Sequence, residues 1–421
     1  MSGEIIKVSR NTEQAPINAL SSQSVAFSHY NNISAQLPLD PQSGEIVVGD
    51  VRDQAKQCLN NIKAIVESIG HVMDDVVKIN VFVKSMTDLA AVNEAYDAYF
   101  DTQLPTRTVV EVAALPHGDA LIQMDALISN GEGTKPQAPC DLIKLSRNSD
   151  NAPVSQWSTQ TVAFSHYNNI GAQLPICPTT GKIVDGGIKA QTAQCLRNIK
   201  TIMESIDVPF DDIVKANIYL TDLADLEAVN QVYTTFFPDS SIARTVGYMP
   251  ARSVIKANGL PMGALVQIDA AISHGDGTPP QEIEDRHGIV IRTNNTVDAP
   301  ICPLSTQTVA FSHYNHLTAQ LPVKTHGGAL VEGGVTEQAK QCLNNIKAIV
   351  ESISHNMDDI VKINIQLTDV ADLAAIDTIY AGFFSGDLPA RTVIGVSDIP
   401  LGAAVQIDAV VSNGEGTPPT H

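Results

Sequence analysis

Three arginines stand in one repeated context: LPTRTVVEV at Arg107, MPARSVIKA at Arg252 and LPARTVIGV at Arg391. A guanidinium presents a rigid fork that grips a carboxylate through two parallel hydrogen bonds. The same Pro-x-Arg phrase, three times at the start of an apolar run, reads as an anion clamp. The competing reading is a structural ion pair repeated between copies. The middle copy also offers Arg244. Spacing selects Arg252, which stands 17 residues before Asp269, as Arg391 stands 17 before Asp408; Arg244 stands 25 before.

Aspartates recur on the last apolar run: Asp125, Asp269 and Asp408, in QMDA, QIDA and QIDA. A carboxylate inside such a run must be paired or must orient something. It could hold a water or shift a proton, or it could pair with the arginine. The glutamines before them, Gln123, Gln267 and Gln406, are expected on the opposite face. Two further positions vary between copies. Ser34, Gly171 and Thr318 precede AQLP, and Asn93, Asn230 and Asp377 lie on a helix pattern. His29, His166 and His313 sit in SHYN phrases, which read as structural turns. Cys58, Cys195 and Cys342 share the phrase QCL and read as small buried thiols. There is no CxxC pair and no HExxH, so no metal site is expected.

The elements that position these residues follow from periodicity. Ile5 to Val8, Ser24 to Phe27 and Ile33 to Leu37 read as strands, with a turn at His29–Asn32. Ala55, Leu59, Ile62, Val66 and Ile69 form one apolar stripe of a helix, opposite Lys56, Asn60, Lys63 and Glu67. Val76 to Val83 reads as a strand. Ser85 to Asp88 reads as a cap before a second helix, Leu89 to Phe100. Arg107 to Val112 and Ala120 to Ser129 close the unit as strands. The order β-β-β-α-β-α-β-β is an α+β domain, a mixed sheet with both helices on one face. Its other face needs a partner.

The partner is in the same chain. QAKQCLNNIKAIVESI at Gln54 recurs unchanged at Gln338, with a looser copy at Gln191. AFSHYN begins at Ala26, Ala163 and Ala310. A unit of roughly 140 residues is too long for a solenoid repeat and long enough for a domain. Gly- and Pro-rich joints at Gly131 and Gly275 predict domains over 1–135, 136–282 and 283–421. The 421 residues carry a net charge of −20, which disfavours nucleic acid and anionic membranes as partners. No apolar stretch is long enough to span a bilayer and no leader is evident, so a cytoplasmic protein is expected.

The order AP, AQLP, CLxNIKAIVES, DDVVKINVFVK, AVNxAY, PxRTVVEV, ALP resembles the RidA/YjgF family of enamine/imine deaminases, three times over. The resemblance implies a chorismate-mutase-like fold, normally a homotrimer with clefts between subunits. Here it implies a one-chain pseudo-trimer, monomeric, acting on small 2-imino acids to give 2-keto acids and ammonia, with no cofactor. It assigns the carboxylate clamp to Arg107, Arg252 and Arg391, and backbone donors to Val109, Val254 and Val393. It assigns substrate contacts to Ser34 and Thr318, with Gly171 departing, and to Asn93 and Asn230, with Asp377 departing. The family's water-holding glutamate maps onto Asp125, Asp269 and Asp408. The family's first tyrosine has no clear match, although Trp157 is near that place. The cleft clamped by Arg107 is expected to be the most complete, because its copy also carries Ser34 and Asn93. A carboxylate-binding protein without turnover is the alternative. Endoribonuclease activity, also attached to the family by name, is disfavoured by the charge.

Overall fold

The computed structural model describes residues 7–100, 103–131, 133–135, 144–237, 248–273, 278, 291–325, 328–414 and 416–417. Arg244 and the expected boundary at 282 lie outside the described residues. In the first copy β1 (Val8–Arg10), β2 (Ser24–Phe27) and β3 (Tyr30–Gln36) precede α1 (Val51–Ser68). Then come β4 (Val76–Val83), α2 (Leu89–Tyr96), β5 (Thr106–Glu111) and β6 (Ile122–Ser129). The sheet order is β1-β2-β3-β6-β4-β5, antiparallel except for the parallel β4–β5 edge.

The middle copy repeats this with β7 (Leu145–Arg147), β8 (Thr161–Phe164), β9 (Tyr167–Gln173), α3 (Gly187–Ser205), β10 (Ile213–Leu220), α4 (Leu226–Tyr233), β11 (Ala251–Lys256) and β12 (Val266–Ser273). The third has β13 (Arg292–Asn294), β14 (Thr308–Phe311), β15 (Tyr314–Leu317), α5 (Val335–Ser352), β16 (Ile360–Leu367), α6 (Leu373–Tyr380), β17 (Ala390–Gly395) and β18 (Val405–Ser412).

A strand end and a helix end differ from the sequence expectation, and β1 runs Val8–Arg10 where Ile5 to Val8 is expected, Ile5 and Ile6 lying outside the described residues. The first hairpin turns at Ser28–His29 alone, so β3 starts at Tyr30 rather than Ile33. Ser28 takes φ 50°, the left-handed backbone that such tight hairpins require at a turn residue. Helix α2 ends at Tyr96 and continues as a short 3-10 turn, Asp97–Tyr99.

Helix α1 is capped by Asp50, whose carboxylate accepts from Arg52 N at 2.9 Å. Its apolar stripe packs on the sheet as expected: Ala55, Leu59, Ile62 and Val66 are fully buried, and Lys56, Asn60, Lys63 and Glu67 face water. Cys58, Cys195 and Cys342 are fully buried, and burial pushes each thiol up.

The second face of each sheet packs against the other two copies around a pseudo-threefold axis. Phe27, Tyr30 and Val77 meet Phe164, Tyr167 and Val214, and Phe311, Tyr314 and Val361, in one core. Tyr30 donates its hydroxyl to Phe164 O, Tyr167 to Phe311 O and Tyr314 to Phe27 O, a closed cycle through all three copies. The rings meet edge to face, the favoured aromatic geometry. A second shared core holds Phe82, Tyr219 and Ile394 with their neighbours.

Candidate functional site

Each arginine lies on the edge strand of its sheet, where a helix of the same copy meets the neighbouring copy. Arg107 is 5% exposed. Its guanidinium lies 4.5 Å over the Tyr96 ring, and Nη1 donates to Asn93 Oδ1 at 2.7 Å. Asn93 and Tyr96 are three residues apart on α2 and so share a face. Nε and Nη2 of Arg107 are buried and find no acceptor among the described residues. Arg252 repeats the arrangement: 4.7 Å over Tyr233, Nη2 to Asn230 Oδ1 at 2.6 Å, and Nε without an acceptor among the described residues. Burial disfavours the charged form of both and lowers their pKa, and a bound anion would oppose that.

Arg391 differs. It lies 5.0 Å over Tyr380, but Nη1 meets the carboxylate of Asp377 at 2.6 Å. Beside it is a cavity of about 310 Å³, lined on the first-copy side by Pro16–Ala19, Ser34 and Gln123, and on the third by Leu373 and Val393.

The neighbouring copy supplies the other wall, and this changes the expected pairings. Ser34 sits not on Arg107 but on Arg391: its hydroxyl accepts from Arg391 N at 2.8 Å and donates to Ser22 O at 2.6 Å. Thr318 serves Arg252 in the same way, accepting from Arg252 N at 3.0 Å and donating to Thr306 O. Both hydroxyls are therefore used in joining copies. Gly171 faces Arg107: a Cβ there would stand 3.3 Å from Arg107 N and 3.2 Å from Thr159 O. The cleft of Arg107 thus lacks the hydroxyl, and the expectation that it holds Ser34 is corrected. Arg252, with Asn230 and Thr318, has the arginine, amide and hydroxyl together. Trp157 lies just before Thr159, whose hydroxyl donates to Leu104 O at the approach to β5.

The aspartates are the larger correction. Asp125, Asp269 and Asp408 do not face the arginines; they point toward the axis. Asp125 accepts from Asn80 at 2.7 Å, from Lys362 at 3.2 Å and from the Thr392 hydroxyl. Asp269 takes Asn217 at 2.8 Å, Thr108 at 2.7 Å and Lys78 at 3.2 Å. Asp408 takes Asn364 at 2.8 Å and Ser253 at 2.9 Å. Each is a buried carboxylate satisfied by a hydroxyl from the residue after a neighbour's arginine. That residue's side chain points away from the arginine's because strand faces alternate.

The glutamines share the aspartates' face, since residues two apart on a strand lie on one side. Assigning them to the opposite face is corrected. Gln123 reaches Val393 O at 3.0 Å, Gln267 reaches Val109 O at 2.7 Å and Gln406 reaches Val254 O at 2.7 Å. On the edge strands, Arg391 N and Glu111 N both point outward, to Ser34 and Gly259. Alternation puts the N–H groups of Val109, Val254 and Val393 on that side too. The residue beside the clamp on the last strand is therefore a glutamine in every copy. Sequence reasoning also missed Tyr96, Tyr233 and Tyr380, although their spacing of three from Asn93, Asn230 and Asp377 was the available signal. The histidines stay in the turns: His29 packs on Phe164, and burial pushes His313 down to about 4.

Among the described residues no group of His, Cys, Asp and Glu could hold a metal, and no helix is long and apolar enough to cross a membrane.

Comparison with known proteins matches the Endoribonuclease L-PSP family model three times, over residues 12–129, 149–273 and 296–413. A RutC family protein of Pyrococcus horikoshii is 45% identical over 106 residues, 25% of this chain and 83% of that protein. The 2-iminobutanoate/2-iminopropanoate deaminase of Mus musculus is 38% identical over 131 residues, 31% of this chain and 96% of that protein. The protein of the same name in Escherichia coli K12 is 46% identical over 97 residues, 22% of this chain and 74% of that protein. Each relative aligns over about one copy, and the chain belongs to the Endoribonuclease L-PSP family, also known as RidA/YjgF, as three tandem copies of its domain.

Proposed function

We propose that the chain hydrolyses small 2-imino acids, of the 2-aminoacrylate type, to 2-keto acids and ammonia in the clefts between copies. The observation that carries this reading is Arg107, buried with Nε and Nη2 unpaired among the described residues and pre-set by Asn93 and Tyr96. Buried donors without acceptors favour a ligand that brings acceptors, and a carboxylate fits the fork. The N–H of Val109 would add a third donor. Arg252, Asn230 and Val254 repeat the set; the third cleft carries Arg391 and Val393, but there the Asp377 carboxylate already occupies the guanidinium.

Chemistry then asks little of the protein. The enamine tautomerises to the imine, water adds to the imine carbon, and ammonia leaves from the carbinolamine. Fixing the acid end in a small cleft orients that carbon toward water. The three copies, read as 1–135, 136–282 and 283–421, would complete three clefts in a monomeric, cytoplasmic protein with no nucleic-acid partner.

A second reading, carboxylate binding without turnover, is favoured by one observation. Gln123, Gln267 and Gln406 occupy the last-strand position beside the clamp, and an amide cannot exchange a proton as a carboxylate does. Release of ammonia and pyruvate from freshly generated 2-aminoacrylate, above the uncatalysed rate, separates the two. Tight pyruvate binding with no acceleration would establish the second.

A further inference from the structure

A separate cavity of about 150 Å³ lies on the pseudo-threefold axis, beneath the Tyr30, Tyr167 and Tyr314 cycle. Lys78, Lys215 and Lys362 line it, with Asn32 and Asn169 and, at the equivalent third position, His316. The catalytic reading makes no use of it.

The hydrogen-bond inventory of its wall is lopsided. The three aspartates already accept from asparagines and hydroxyls of the neighbouring strands, and Asp125 and Asp269 from lysines as well. Each ammonium carries three donors. Lys362 gives one to Ile33 O at 2.8 Å and one to Asp125. Lys215 gives one to Ser253 Oγ at 2.8 Å and one to Leu317 O at 2.5 Å. Lys78 meets Asp269 at 3.2 Å. Protons remain on all three. The amide nitrogens of Asn32 and Asn169, residues only 7% and 5% exposed, find no acceptor among the described residues. Against these stand the amide oxygens of Asn80, Asn217 and Asn364, three acceptors with no donor among the described residues. Five side chains with donors to spare thus face one small space.

We propose that this axial cavity binds a small monovalent inorganic anion of halide size, which ties the three copies together. The surplus of donors calls for an acceptor with negative charge. Three lysines but only two aspartates, Asp125 and Asp408, line the cavity, so a monovalent ion matches the charge of its wall and a multiply charged ion would exceed it. Burial lowers the pKa of Lys215 and Lys362, while Asp408 and Asp125 oppose that; an anion among the ammoniums opposes it further.

Crystals of the full chain soaked in bromide test this directly. An anomalous peak is expected among the three Nζ atoms. In parallel, the thermal midpoint in chloride should exceed that in gluconate at equal ionic strength by roughly 2–5 °C, since only the small anion fits and binding stabilises the folded state. The Asn32→Ala/Asn169→Ala double variant should lose that difference; Asn169→Ser, a milder change, should reduce it. Ordered water with no anomalous signal on the axis, or equal midpoints of the native chain in the two salts, overturns the proposal.

Discussion

Asp377 holds the guanidinium of Arg391 at 2.6 Å, where Asn93 and Asn230 hold Arg107 and Arg252 at 2.7 and 2.6 Å. One change from amide to carboxylate alters what that cleft can do. An amide oxygen orients an arginine and leaves its charge available. A carboxylate neutralises it, and stands ready to repel a second carboxylate in a partly buried site. The clefts of Arg107 and Arg252 are thus set for an anion, and that of Arg391 is set against one.

Calorimetric titration with pyruvate should therefore find two binding sites per native chain. Asp377→Asn should add a third. The gain at that cleft should be about ten- to a hundredfold in affinity, the scale of one charge-assisted contact. Three equal sites in the native chain would show that the ion pair does not matter.

Asp125→Asn tests the placement of the aspartates. The change leaves Lys362, itself buried, without its charge partner. Breaking such a pair costs about 3–5 kcal/mol, to be read from urea unfolding. KM for an imino acid should stay the same, because Asp125 faces the axis. A large rise in KM with unchanged stability would return the aspartate to the cleft.

Acid sensitivity should trace in part to His316. Burial, followed by the charges of Lys215 and Lys78, pushes it down to about 3. Between the unfolded value near 6.5 and that value, the unfolded chain binds a proton that the folded chain does not. Stability therefore falls as pH falls through this window, by about 1.4 kcal/mol per pH unit. His316→Asn, which installs the residue of the other two copies, should flatten that limb; His313 supplies a similar slope above about 4. An unchanged profile in the variant would assign the loss elsewhere.

The cycle of Tyr30, Tyr167 and Tyr314 closes within one polypeptide. Heterologous contacts that close after three units leave no open interface of that kind. Light scattering should give one chain mass in dilute buffer, and a stable particle of three chains would contradict this.

Much of this molecule could be read from its residues. The stripe from Ala55 to Val66 announced α1 because burial of one helix face imposes a period of 3.6. The three Pro-x-Arg phrases located the clamps because an arginine recurring at one strand start needs an anion or a fixed partner. What escaped was any relation that depends on docking one copy against the next. Ser34 and Arg107 share a copy, yet Ser34 bonds to Arg391, and no local spacing carries that information. The exchange of Gln123 and Asp125 is a different matter. Both lie on one face of β6, and a carboxylate drew attention that the period-2 rule would have shared with the amide. Position along the strand then sends the glutamine to a cleft and the aspartate to the axis.

Ammonia release from freshly generated 2-aminoacrylate by the Arg107→Lys/Arg252→Lys double variant tests the central claim most directly. Lysine keeps the charge and removes the paired donors. With the third cleft neutralised by Asp377, the double variant should fall to about a hundredth of the native rate while its thermal transition stays cooperative. A folded double variant that retains the native rate would contradict the claim that these two guanidinium groups hold the substrate.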